Sequence, residues 1–137
     1  MNKLLKEFAK DRTDIPEMII DSGLYDYKQL NDLYNKANVF VASTRAEAFG
    51  IPILEAMQSG VPVITSKGGC FEEVGGDAAS YVDPNNVEDI INALNTLLID
   101  QNRCSEMQDK GYKQAKKFSE EGIARQIMGI YSDLYKQ

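Results

Sequence analysis

Short continuous apolar runs alternate along this chain with longer segments whose apolar residues recur every three or four positions. The short runs are Met18 to Asp21, Val39 to Ala42, Pro62 to Thr65 and Ala79 to Val82. Apolar runs of that length, without polar alternation, predict strands covered on both faces. The periodic segments predict helices. These are Lys3 to Lys10, Tyr27 to Lys36 with Leu30, Leu33 and Tyr34 on one face, Pro52 to Ser59, Val87 to Ile99, Arg103 to Lys117, and Ser119 to Tyr135. A helical turn is expected at Phe71 to Val74, a tight turn at Gly23 to Asp26, and a loop at Ser66 to Gly69. Asn85 or Asn86 supplies a cap for the Val87 helix. Alternation of strand and helix implies an α/β fold on a parallel sheet. In such sheets, ligands bind beyond the C-terminal ends of the strands. No internal repeat or low-complexity segment interrupts the pattern.

The most specific stretch lies between the second and third runs: Glu47-Ala48-Phe49-Gly50-Ile51-Pro52-Ile53-Leu54-Glu55. Gly50 permits a tight turn or close backbone approach. Pro52 suits the first helical position, and Gly60 the residue just past the helix end. With Pro52 opening the helix, the amides of Ile53, Leu54 and Glu55 are expected to lack intrahelical partners. Together with the positive end of the helix dipole they would seat an anion, phosphate above all. Glu47 would project from the loop and Glu55 from the first turns of the helix. Carboxylates accept hydrogen bonds from hydroxyls, so the residues suggest a phosphorylated, hydroxyl-rich ligand. Against this, a chain with 21 acidic residues offers such Glu pairs by chance. A helix that opens with Pro and closes with Gly is also ordinary architecture.

The longer run changes the balance. From Ser43-Thr44-Arg45-Ala46-Glu47 through Gly50, Pro52, Glu55-Ala56-Met57, Gly60 and Pro62-Val63-Ile64, the chain follows E-x-F-G-x-P-x-x-E-A-M-x-x-G-x-P-V-I. This resembles the C-terminal, donor-binding domain of the retaining GT-B glycosyltransferases of family 4 (group 1). The likeness extends upstream to Gly23-Leu24, Leu30 to Tyr34 and Ala37 to Val41. Downstream it takes in Gly68-Gly69, Glu72 or Glu73, Gly76 to Ala79, Val82 to Pro84 and Phe118-Ser119. It covers nearly all of the chain after about Pro16.

The resemblance implies a Rossmann-like parallel sheet with flanking helices, forming the later part of a GT-B C-terminal domain. It implies that Glu47 contacts donor-sugar hydroxyls and that the Phe49-Gly50-Ile51 backbone approaches sugar and phosphates, with Leu54 beside them. It further implies that Glu55 binds the ribose and that Gly23 and Leu24 hold the base edge. The implied co-substrate is a nucleotide sugar such as a UDP- or GDP-sugar, with no other cofactor. Ala48, Cys70 and Glu120 depart from residues frequent in the family, which loosens the identity of the donor. The family's GxG strand–loop, its Arg/Lys pair and its acceptor-binding N-terminal domain are not found in these 137 residues. The chain is therefore expected to be a fragment or a degenerate relative, inactive by itself.

Composition bounds these readings. A chain of 137 residues with 43% hydrophobic and 26% charged residues is expected to form a single domain, 1–137, closed by a C-terminal helix over 119–137. A net charge of −6 argues against nucleic-acid or anionic-membrane binding. No run of 18 apolar residues and no signal-peptide core is present, so a cytoplasmic location is expected; peripheral membrane association of the intact enzyme stays open. The histidine count of zero excludes Ser-His-Asp chemistry and His-based metal sites. There is no D-x-D motif, and no metal is expected. Cys70 and Cys104 are expected to be free thiols without a functional role.

Several residues keep two readings. Gly68 and Gly69 either line the diphosphate or form a flexible turn. Lys67 and Arg45 are either site cations or ordinary surface charges. The stripe Ile123, Ile127, Ile130 and Leu134 most simply docks on its own domain, and in the family the last helix crosses back to the N-terminal domain. Three functions follow: sugar transfer to an acceptor hydroxyl, a nucleotide-sugar epimerase on the same scaffold, or a non-catalytic binding or regulatory module.

Overall fold

The structure, a computed structural model, describes residues 26–136. The expected helix at Lys3, the strand at Met18, and Gly23 and Leu24 lie outside the described residues. Contacts divide the chain after Leu30, and residues 31–137 form one compact unit. In order the elements are α1 (Tyr27–Lys36), β1 (Phe40–Ala42), α2 (Ile51–Gln58), β2 (Val63–Ser66), α3 (Cys70–Gly75), a 3-10 turn (Gly76–Ala78), β3 (Ala79–Val82), α4 (Val87–Ile99), α5 (Gln101–Lys117) and α6 (Glu120–Tyr135). The three strands are parallel in the order β1-β2-β3, with Val41 opposite Ile64 and Ile64 opposite Ser80.

Strand β2 is the centre of the core, and all four of its residues are buried. Its side chains alternate between the sheet faces. Ile64 packs with Val82, Leu97 and Met107 in the cluster that α4 and α5 close. Ile53, Met57, Val63, Phe71 and Val74 are also buried, and α5 packs along α2. Thus the apolar run of β2 is covered on both faces, as its sequence predicts. Strand β1 is not: Val41 is 39% exposed. It has β2 as its one neighbour among the described strands, so its apolar run overstates its burial.

The helix ends follow local chemistry. Gly60, with φ 71°, ends α2 in the left-handed conformation. Its N–H donates to the Met57 carbonyl at 3.1 Å and Val61 N–H donates to Ala56 at 2.9 Å, the paired bonds of a Schellman turn. The Asn86 side chain accepts from the amides of Glu88 and Asp89, resolving the choice of cap for α4. Asp100 accepts from Arg103 N–H, so α5 begins at Gln101, two residues before the expected start. Ser119 caps α6 through the Gly122 amide.

Two side chains satisfy the carbonyls at the end of the short α3. Buried Gln114 donates from Nε2 to Glu73 and Val74 at 3.1 and 3.0 Å. Lys117 donates to its Oε1 at 2.7 Å. The Tyr81 hydroxyl donates to the Gly76 carbonyl at 2.7 Å. Helix α6 does not dock on its own domain: none of its residues is buried, and Ile123, Ile127, Ile130 and Leu134 are exposed. The simpler sequence expectation for that stripe is overturned.

Burial pushes the Tyr81 phenol up to about 12, and the nearby carboxylates of Glu72 and Asp77 add to it. Folding therefore favours the protonated phenol. Its contribution is complete below the unfolded value near 10 and disappears as pH rises through 12. Denaturant titrations between pH 8 and 12 should show Tyr81→Phe losing stability less steeply than the parent above pH 10. At pH 8 the variant should be about 1 kcal/mol less stable, from the lost hydrogen bond.

Candidate functional site

Parallel pairing puts the segments after β1 and β2, residues 43–50 and 67–69, at the same edge of the sheet. These segments carry Glu47, Phe49, Gly50, Gly68 and Gly69. Side-chain donors from β2 and from Cys70 of α3 tie down the end of β1 and the first of these segments. Thr65 Oγ1 donates to the Ala42 carbonyl at 3.1 Å. Ser66 Oγ donates to Thr44 at 2.6 Å, and Cys70 Sγ donates to the Glu47 carbonyl at 3.3 Å. Thr65 and Ser66 are buried, so their two bonds are partly shielded from water, while the Cys70 bond is exposed. Cys70, expected to have no role, thus helps fix the backbone that presents Glu47. The Glu47 side chain itself is exposed.

Gly50 is the N-cap of α2, with φ 96° and ψ 36°. That left-handed conformation turns the loop into the helix. Helix α2 begins at Ile51, and Pro52 occupies its second position instead of its first. The amide inventory therefore differs from the sequence expectation. Ile53 N–H donates to the Gly50 carbonyl at 3.0 Å, and the helical ladder takes up Leu54 and Glu55. Pro52 has no N–H. Among the described residues, the amides of Gly50 and Ile51 are those left without an acceptor at this end. The free amides are therefore those of Gly50 and Ile51, two in place of the expected three at Ile53, Leu54 and Glu55.

The other candidates fall into place around that end. Ile51 is 59% exposed, so no apolar side chain seals the helix start. The Phe49 ring meets Phe118 edge-on at 5.9 Å, which turns it toward the α5–α6 junction. Leu54 is 8% exposed, so its side chain belongs to the core. Gly68 and Gly69 adopt φ 85° and 62° and have open space where a Cβ would sit. Gly68 N–H donates to Glu72 Oε1 at 3.0 Å. Lys67 pairs with Asp89 at 3.7 Å, which draws its charge toward α4, and Arg45 is exposed.

Glu55 is half-buried in the second turn of α2. The Tyr34 hydroxyl donates to its Oε2 at 3.0 Å, with the Pro52 carbonyl more distant at 3.4 Å. Tyr34 is buried, and its ring leans on Phe40 at 5.8 Å. Desolvation raises the Tyr34 phenol well above the ordinary tyrosine value, and the Glu55 hydrogen bond and charge raise it further. It stays a protonated donor at any physiological pH. The sequence placed Tyr34 on the inner face of α1 but gave no sign of this pairing, which joins residues 21 positions apart. Among the described residues no group of three or more His, Cys, Asp or Glu could hold a metal ion, and no helix is long and apolar enough to cross a membrane.

With this geometry in place, comparison with known proteins is decisive. The family described as glycosyl transferases group 1 matches residues 2–114. The chain belongs to that family. Among sequence relatives, the O-antigen chain mannosyltransferase B of Escherichia coli is 40% identical over 109 residues, which covers 80% of this chain and 29% of that protein. The mannosylfructose-phosphate synthase of Agrobacterium fabrum is 32% identical over 129 residues, covering 92% of this chain and 28% of that protein. The chain therefore spans under a third of either relative. Among solved structures, the sucrose-phosphate synthase from Thermosynechococcus elongatus superposes with a TM-score of 0.71 at 29% identity, over 84% of this chain and 30% of that one. The C-terminal domain of a group 1 glycosyl transferase from Francisella tularensis gives a TM-score of 0.63 at 26% identity, over 71% of this chain and 51% of that one. The α/β fold with its helix-flanked parallel sheet is that of a GT-B C-terminal domain.

In this group 1 glycosyl transferase domain, Gly50 is the tightest backbone point of the site. A Cβ there would lie 3.3 Å from Ile53 Cδ1, at φ +96°. Gly50→Ala should lower stability by about 1 to 2 kcal/mol in urea denaturation, from the left-handed backbone and the crowding. Gly68→Ala, with open space around it, should cost the backbone part alone.

Proposed function

We propose that this domain binds the nucleotide-sugar donor of a metal-independent, retaining glycosyltransferase of family 4. The reading rests on the α2 entrance. There the Ile51 amide is open, the Glu47 backbone is tethered by Cys70, and Glu55 is held by Tyr34. The helix end and the glycine loop after β2 receive the diphosphate. Glu47 orients the sugar through its hydroxyls, and Glu55 accepts from the ribose. Transfer joins the acceptor oxygen to the anomeric carbon with retention, and the nucleoside diphosphate departs. The protein's main task is to stabilise the charge that develops on that leaving group. A mannosyl donor is the first to test, because several relatives are named mannosyltransferases.

The exposed apolar stripe of α6 supports a second part of the proposal. The resemblance implies an acceptor-binding N-terminal domain, and the stripe is suited to cover against it. The donor amides act within one turn of a helix, so the intact protein needs cations beyond them to hold a diphosphate.

In the full-length enzyme, Glu47→Gln should lower kcat by about 100-fold, the effect of losing one group that acts in the transition state. The Kd of GDP or UDP should change by less than about threefold. Single-turnover rates and calorimetric nucleotide titrations check both. Equal losses in rate and nucleotide affinity would reject the role given to Glu47.

A further inference from the structure

We infer that Tyr34 is a positioning residue for ribose recognition: its hydroxyl fixes the Glu55 carboxylate in the orientation that accepts the sugar hydroxyls of the nucleotide. The inference rests on the donor-site reading above and extends it to a residue on a different helix. A glutamate on a helix surface samples several rotamers, and binding a ligand must freeze them. Here the Tyr34 hydroxyl, 3.0 Å from Oε2, holds one orientation before any ligand arrives. The tyrosine is itself immobile, because its ring is buried and leans on Phe40, the first residue of β1. The phenol thus connects the rigid sheet to the carboxylate. A carboxylate offers about four acceptor positions, and the phenol uses one of them, so both oxygens can still take ligand hydroxyls. Among the described residues, Oε1 has no other donor.

This arrangement makes the tyrosine's effect depend on the ligand's ribose. In the full-length protein, Tyr34→Phe removes one oxygen and keeps the ring that packs on Phe40. GDP and UDP, with their 2′,3′-dideoxy analogues, are the probes. Tyr34→Phe should weaken whichever ribonucleotide binds the parent by about tenfold, the effect of a hydrogen bond to a charged group. Affinity for the matching dideoxy analogue should stay within about twofold, so discrimination between the two ligands collapses. Glu55→Asp, which draws the carboxylate back from the phenol and leaves the tyrosine intact, should collapse it too. If Tyr34→Phe weakens both ligands equally, or discrimination survives it, the positioning role is overturned. If the parent does not distinguish ribose from dideoxyribose, the assignment of Glu55 to the ribose falls first, and this inference falls with it.

Discussion

Three side-chain donors hold together the edge of this domain that carries Glu47. Thr65 donates to the carbonyl of Ala42, the last residue of β1, and Ser66 and Cys70 donate to Thr44 and Glu47 in the segment that leaves it. A loop that has left its strand has lost its ladder partners, and its carbonyls need new ones. Here the neighbouring strand and the helix after it supply them. Without those bonds the stretch from Ser43 to Gly50 would be an ordinary surface loop, and Glu47 would have no defined place. Parallel pairing of β1 with β2 makes the ties possible, because it brings both strand ends to one edge in register.

The site built on this edge is mostly backbone. Gly50 turns the chain, Ile51 offers an amide, and the Phe49 ring is occupied elsewhere by Phe118. The two candidate glutamates each have a partner remote in sequence. The thiol 23 positions later bonds the Glu47 backbone carbonyl, and the phenol 21 positions earlier bonds the Glu55 carboxylate. Such partners constrain a candidate group from a distance in sequence without belonging to the site themselves.

The sequence showed what is local. Gly60 marked the end of α2, Asn86 was one of two candidates for the α4 cap, and the unbroken apolar run of β2 implied its double coverage. Each depends on chemistry within a few residues. What the sequence hid is tertiary. The side chain of Tyr34 looked like core, and Cys70 looked inert, because a hydrogen bond across more than 20 positions leaves no periodic trace. The start of α2 was displaced for a subtler reason. Proline is accepted at either of the first two helical positions, so Pro52 alone could not fix where the amides fall free. The apolar stripe of α6 was visible as a stripe, yet its periodicity says nothing about what covers it.

Helix α3 has two unlike ends. Gln114 clamps its last carbonyls to α5, and Tyr81 of β3 holds the Gly76 carbonyl just beyond it. Its start follows two glycines in positive-φ conformations with empty space about them. Gly68 and Gly69 therefore give the segment joining β2 to this helix a torsional freedom that the clamped end lacks. The firm end of α3 is thus the one tied to its neighbours by side chains, and the end next to β2 is the one left with torsional freedom.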